Sequence, residues 1–356
     1  MIALYITSIE RHTGKDLITM GLIHRLRRDG LRVGYFKAMG RFPIKVDNTV
    51  TDKGAWFFHR LFELEDPVEL TCPVIITQDL IVQNYNKGVT GLQQKIEAAF
   101  KKISEQKDLV VVNCDHNFSE GASFGLSGLQ LIKLLGARAL FVERYECDFC
   151  VDLLLELRNI IGEPMLGVVF NKVNASHMEE IEDLVSPFLH RKEIHVFGAL
   201  PNDPILGAVH VRELADHLAA DVVCGKDKLH ALVEDFLVGG MQADKFFTYL
   251  LKKPCSAVIV GGDRTDIQLV AIENGVRCLI LSGNLYPNEI IIARANAKGV
   301  PILVVRDDTY AVAKKVEGMV GTFSLSERQK IDHGIRLVDQ AFKFDHLHEQ
   351  LGFRPS

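Results

Sequence analysis

Ser8-Ile9-Glu10-Arg11-His12-Thr13-Gly14-Lys15-Asp16 has the residue types and spacing of a phosphate-binding loop. In such a loop, backbone N–H groups and the N-terminus of the following helix cradle an anion, and the lysine contacts its outer phosphates. Thr13, Gly14, Lys15 and Asp16 are the candidate phosphate residues. The hydroxyl that usually follows Gly-Lys is replaced by Asp16, and the usual leading glycine by Ser8 or Ile9. A carboxylate there either holds a cation or weakens phosphate binding. Unit charges ~4 Å apart at an effective dielectric near 20 repel by about 4 kcal/mol. Asp16 serves equally well as a plain helix cap.

A second stretch, Gly261-Gly262-Asp263-Arg264-Thr265, follows the apolar run Ala257–Val260 and precedes a helical pattern. Its glycines permit a tight turn and close backbone approach. Asp263 or Thr265 suits a helix cap, and Arg264 has the fork to hold a phosphate or carboxylate bidentately. A pair between Asp263 and Arg264, or a pinned domain interface, fits the same residues. His116 and Glu120 are acid–base groups beside a Gly-rich turn, where a structural or solvated role is the better expectation, so no catalytic residue is assigned. Cys147 and Cys150 form a CxxC, but a zinc site needs two more ligands at suitable spacing and none is near.

These residues need a scaffold that brings strand ends together. Ile2–Thr7 reads as a strand and is followed by a helical pattern to about Arg28. Further strands are expected at 32–37, 108–113, 138–143, 166–171 and 194–199, with helices at 55–62, 91–105, 127–135, 150–161 and 177–189. Residues 40–54 read as a polar loop. The run Leu109-Val110-Val111-Val112 is uninterrupted in the way that parallel sheets favour. Alternation of this kind predicts a doubly wound parallel sheet, with ligands at the C-terminal ends of its strands. The loop, Lys37, Asn113 and Asn171 all fall at such ends. A second, smaller α/β alternation starts near 221, with strands at 221–224, 233–238, 256–261, 277–281 and 301–305. Asp203–Ala220 reads as a connector and 326–352 as one closing helix. The expected domains are 1–220, 221–322 and 323–356.

A net charge of −5 with scattered Lys and Arg argues against a nucleic-acid surface. No apolar run approaches the ~18 residues needed to span a bilayer, and Met1-Ile2 begins a strand without a signal-type segment. Seven cysteines in apolar contexts fit reduced core thiols of a cytoplasmic protein.

With these pieces placed, residues 1 to about 220 resemble the dethiobiotin-synthetase-like P-loop domain found at the N-terminus of long phosphate acetyltransferases. The stretches that carry the resemblance are Thr13-Gly14-Lys15, Val33–Lys37, Asp115–Gly121, Gly167–Val173 and Leu200–Pro204. Residues from about 221 to 320 resemble the DRTGG domain, through Gly261–Ile267, Val238–Ala243 and Ser282–Pro287. The resemblance implies an α/β protein: a P-loop domain followed by a smaller DRTGG domain, with ATP and Mg as the cofactors. It implies that Lys15 contacts the β- and γ-phosphates, that Lys37 faces the phosphate and carboxylate site, and that Asn171 hydrogen-bonds the adenine base. A solvated strand-end role for Lys37 and a turn role for Asn171 stay open.

The family pattern has a metal-binding hydroxyl after Gly-Lys and Glu-Gly at the end of the third strand. This chain has Asp16 and Asn113-Cys114 there. Any metal would be held through Asp16, with Asp115 as the alternative. Asp47 and Asp52 lie where relatives carry a metal- or substrate-facing Asp, and a plain surface loop is expected for each. DRTGG domains occur as regulatory attachments, so Gly261–Thr265 is expected to sense an effector or form an interface.

The functional expectation is a nucleotide-binding regulator or sensor without acetyltransferase activity. It would be a homo-oligomer, with a separate acetyltransferase or another protein as partner. The alternative is an active ATP-dependent carboxylate ligase of the dethiobiotin synthetase or cobyrinic acid diamide synthase type, although the chain shows no glutaminase domain. Neither nucleic acid nor membrane is an expected partner.

Overall fold

The computed structural model describes residues 1–114, 117–145, 149–319 and 328–353. It divides into two compact units, Met1–Asn202 with Leu325–Ser356, and Asp203–Ser324.

The first unit is built on β1 (Ile2–Thr7), α1 (Lys15–Arg28), β2 (Val33–Lys37), α2 (Lys53–Leu61), α3 (Leu92–Ile103), β3 (Leu109–Asn113), α4 (Gly128–Leu135), β4 (Arg138–Glu143), α5 (Asp152–Ile161), β5 (Met165–Val173) and β6 (His195–Pro201). The strands form one parallel sheet in the order β6-β5-β4-β1-β3-β2. The expected doubly wound parallel sheet is therefore present.

Its winding explains the two layers of helices. The step from β1 to β2 passes over β3, whereas every later step runs the other way. Right-handed crossovers then place α1 on one face and α3, α4 and α5 on the other. Tyr5, Phe36, Val112, Phe141 and Phe170 share one face, packed with α3, α4 and α5. On the opposite face Tyr35 stacks on Phe58 of α2, with ring centroids 4.5 Å apart. The stretch expected as a polar loop holds a hairpin, Pro43–Val46 against Thr49–Asp52.

The second unit carries β7 (Asp221–Cys224), β8 (Asp235–Val238), β9 (Ser256–Gly261), β10 (Cys278–Ser282) and β11 (Ile302–Val304), in the order β7-β11-β10-β9-β8. Only β7 runs antiparallel to its neighbour. Its helices are α6 (Val211–His217), α7 (Ala243–Leu250), α8 (Thr265–Glu273), α9 (Glu289–Lys298) and α10 (Thr309–Met319). Helices α7, α8 and α9 pack through Phe246, Ile267 and Ile291 on one face. Helices α6 and α10 pack through Leu214 and Val312 on the other. The stretch expected as a connector thus supplies core: Val211 and Leu214 are fully buried.

The chain then returns to the first unit as α11 (Arg328–Ala341) and α12 (Phe344–Leu351), rather than as one helix. The break falls where Phe342 bridges Gly198 and the Lys343 N–H donates to the Phe197 carbonyl at 2.7 Å. Helix α11 lies on α1 so closely that a Cβ at Gly21 would sit 2.4 Å from Val338 Cγ1. Arg25 and Arg28 of α1 both pair with Asp339. Among the described residues no helix is long and apolar enough to cross a membrane.

Candidate phosphate site

Gly14 takes a left-handed conformation (φ 93°) where the loop enters α1. Glycine is favoured there because a side chain in that conformation is strained. Close approach adds a second reason, since a Cβ at Gly14 would lie 2.1 Å from Asn171 Nδ2. Asn171 lies buried in β5, and its Nδ2 donates to the Thr13 carbonyl at 2.7 Å. The structure therefore brings Asn171 to the phosphate loop as a brace on its backbone. Thr13 is fully buried beside Gly14, and its Oγ1 has no hydrogen-bond partner.

Lys15 is 5% exposed, and its ammonium donates to Ser8 Oγ at 2.8 Å, across the loop. Asp16 receives the Asn113 side-chain amide, Nδ2 to Oδ1, at 2.7 Å. The Asn113 oxygen faces the Cys114 N–H at 2.9 Å. Asp16 and Asn113, two of the positions at which this chain departs from the family pattern, are thus hydrogen-bonded to each other. Asp115 and His116 lie outside the described residues, as does Cys147 of the CxxC.

Lys37 is not a solvated strand-end lysine: it is 3% exposed, with its ammonium 2.6 Å from Asp52 Oδ1. Asp52, expected on a surface loop, is fully buried. Oδ1 also accepts the Gly54 and Ala55 N–H groups, capping α2, while Oδ2 accepts those of Arg41 and Phe42. Burial alone pushes this carboxyl up, but the Lys37 charge and these hydrogen bonds outweigh it and hold it below the ordinary range. The hairpin produces the arrangement by folding Asp52 back over the end of β2. Asp47 sits exposed at the hairpin turn with φ 52°. Glu120 pairs with Arg41 at 2.7 Å.

Three neighbours of the loop were not singled out from sequence. The His12 carbonyl accepts from Lys172 Nζ at 2.8 Å and from Arg144 Nη2 at 3.2 Å. Those bonds steady a non-glycine residue at φ 59°. Desolvation, then the charges of Lys172, Arg144, Lys15 and Arg11, hold the His12 ring below its ordinary value. Lys172, Arg144, Lys15 and Arg11 thus bring positive charge to the loop, beside the carboxylates of Glu10 and Asp16. Glu143, at the end of β4, is 5% exposed, and its Oε1 accepts the Ile9 N–H at 2.6 Å. Burial pushes it up to about 8, against the pull of the Ile9 N–H and Lys15. A charged residue closing the run Ala139-Leu140-Phe141-Val142 was the available signal.

A divalent cation fits the loop in one way. Mg²⁺ takes oxygen ligands and is commonly held by one or two carboxylates together with substrate phosphates and water. Among the carboxylates described, Asp52 is enclosed by its partners and Glu143 is held on the loop backbone. Asp16 would hold the ion.

In the second unit, Gly262 packs so tightly that a Cβ would meet the Leu285 carbonyl oxygen at 2.2 Å. Arg264 does not pair with Asp263. It forks onto Asp266, Nε to Oδ1 and Nη2 to Oδ2 both at 2.9 Å, and also donates to the Met241 carbonyl. Arg264 occupies the N-cap position of α8 without a side-chain cap, and Thr265 is the first helical residue.

Comparison with known proteins agrees with this architecture. Residues 3–210 match the profile of an AAA domain and residues 213–319 that of a DRTGG domain. The chain is 24% identical over 375 residues to the phosphate acetyltransferase of Nitratidesulfovibrio vulgaris, covering 99% of this chain and 52% of that protein. It is 24% identical over 215 residues to the ATP-dependent dethiobiotin synthetase BioD of Methanocaldococcus jannaschii, covering 59% of this chain and 94% of that one. Among solved structures, the Pyrococcus furiosus cell division ATPase MinD aligns with 58% of this chain and 85% of its own, at 15% identity and a TM-score of 0.36. The chain spans about half the length of the phosphate acetyltransferases it matches.

Proposed function

The chain belongs to the AAA domain family through residues 3–210, and from that premise we propose that its first unit binds a nucleoside polyphosphate as a sensor and does not phosphorylate a carboxylate. Lys15, Gly14 and Thr13 contact the phosphates, and Asp16 holds the accompanying cation. The DRTGG unit transmits or reinforces the bound state, through an effector or a second copy of the chain at Gly261–Thr265. Acetyl transfer is assigned to neither unit, and an acetyltransferase is the partner the sensor would serve.

The observation that carries this reading is the buried Lys37–Asp52 pair at 2.6 Å. Phosphoryl transfer to a carboxylate needs cations aimed at the charge that develops in the transition state. Lys37 would have to leave a carboxylate that also anchors four backbone N–H groups. Asn113 offers an amide where a strand-end acid would otherwise contact the metal.

Calorimetric titration of ATP, with and without Mg²⁺, tests the reading together with a turnover assay. Binding weakened at least tenfold by Lys15→Ala, without turnover, is expected. Lys15-dependent ATP turnover with a small carboxylate would overturn it in favour of a ligase. Absence of binding in either buffer would remove the nucleotide from the first unit.

A further inference from the structure

Glu143 has no part in the chemistry above, yet it is the buried carboxyl in contact with the loop backbone. It closes β4, which lies beside β1 in the sheet. Its Oε1 accepts the Ile9 N–H at 2.6 Å, so the carboxyl supports the start of the loop from beneath. Among the described residues, the charged groups that face it are Lys15 on α1 and Glu10 on the loop. The charge of Lys15 and the Glu10 N–H favour the ionised carboxylate, and the charge of Glu10 opposes it. The same Lys15 is the cation that the nucleotide reading gives to the phosphates.

Resting on that reading, we propose that nucleotide binding draws a proton from solvent onto Glu143. The physical cause is competition for one ammonium. A polyphosphate engaged by Lys15 brings negative charge to the cation that helps to keep a buried carboxylate ionised. With that support divided, the ionised form costs more and the carboxyl protonates. The protonated carboxyl still accepts the Ile9 N–H. Affinity is therefore linked to pH, and the site binds more tightly as pH falls through the range in which free Glu143 ionises.

Burial already places that range near pH 8. At pH 8 about half of the free carboxyl groups are protonated. A ligand that raises the midpoint by ~1 pH unit brings this to roughly nine-tenths, an uptake of ~0.4 proton per site. His12 is held low by its surroundings and stays neutral at this pH.

The test is calorimetry with ATP at pH 8.0 in HEPES and in Tris, whose ionisation enthalpies differ. The dependence of the observed heat on buffer gives the protons exchanged. Uptake of ~0.4 proton is expected, falling to near zero in Glu143→Gln, which keeps an acceptor for Ile9. A second readout needs no variant: in ¹⁵N-isoleucine protein the Ile9 amide shift should titrate near pH 8, and ATP should move its midpoint upward. Binding without uptake, equal uptake in Glu143→Gln, or an Ile9 midpoint indifferent to ATP would each overturn the inference. Absence of binding in every buffer would overturn the nucleotide reading, and the inference with it.

Discussion

Removing either half of the Lys37–Asp52 pair should destabilise the first unit by unequal amounts. Asp52→Asn leaves the Lys37 ammonium buried without its carboxylate. It also turns an NH₂ group toward the N–H donors of Arg41 or of Gly54 and Ala55. Breaking a buried pair from this side costs about 3–5 kcal/mol. Lys37→Met leaves a carboxylate that still accepts four backbone N–H groups, which alone favour its ionised form, so the loss should be nearer ~1–3 kcal/mol. A gap of about 2 kcal/mol is roughly thirtyfold in the folding equilibrium. The single tryptophan, Trp56, lies in α2, the helix that Asp52 caps, so guanidinium unfolding followed by tryptophan fluorescence reads the right element. The acid limb gives a second check. The Asp52 carboxyl is held below its ordinary value, so its contribution is present above the unfolded pKa and lost as pH falls through the folded one. Asp52→Asn should remove that loss. A Lys37→Met protein as unstable as Asp52→Asn, or more so, would refute the view that Asp52 is held chiefly by the backbone.

Gly21→Ala should destabilise, although alanine is favoured over glycine inside a helix by ~1 kcal/mol. The new methyl would meet Val338 Cγ1 at 2.4 Å, and overpacking of this kind costs about 1–3 kcal/mol; a more stable protein in a denaturant titration would show that α11 does not seat there. Asp16→Ser should tighten ATP binding at low Mg²⁺ by at least tenfold, because it removes a repulsion of up to ~4 kcal/mol. Unchanged affinity by calorimetry would show that Asp16 does not face the phosphates.

What could be read from sequence follows from how each element is buried. Strands 138–143 and 256–261 lie where their apolar runs place them, because strands covered on both faces read as continuous hydrophobic segments. The hairpin at 43–52 gave no such run, since Pro43, Lys45, Asp47 and Asn48 are exposed. With the hairpin went the knowledge that Asp52 is buried and that Lys37 has a partner fifteen residues along the chain. An amphipathic pattern at 326–352 shows that a helix buries one face, not which surface receives it. The notch at Gly21 for Val338 joins residues more than three hundred positions apart. The phosphate loop itself was legible as a motif, whereas its setting was not. Lys172 and Arg144 act through the His12 carbonyl, and a backbone acceptor leaves no mark on residue type.

Asp16 and Asn113 count as one change rather than two. The family pattern places a neutral hydroxyl after Gly-Lys and an acid at the strand end; here the acid follows Gly-Lys and a neutral amide ends the strand. The number of negative charges at the two positions is unchanged. The 2.7 Å bond from Asn113 Nδ2 to Asp16 Oδ1 ties the positions together. What has moved is the charge, from the end of β3 into the first turn of α1, where the helix N-terminus favours an anion by roughly 0.3–1 kcal/mol. Two independent losses would leave a buried acceptor or donor without a partner, and that cost would show as an orphaned polar atom on one of the two residues. Neither side chain carries one. On the proposed reading, the rearranged pair would hold a cation beside Lys15 from the first turn of α1 rather than from the strand end.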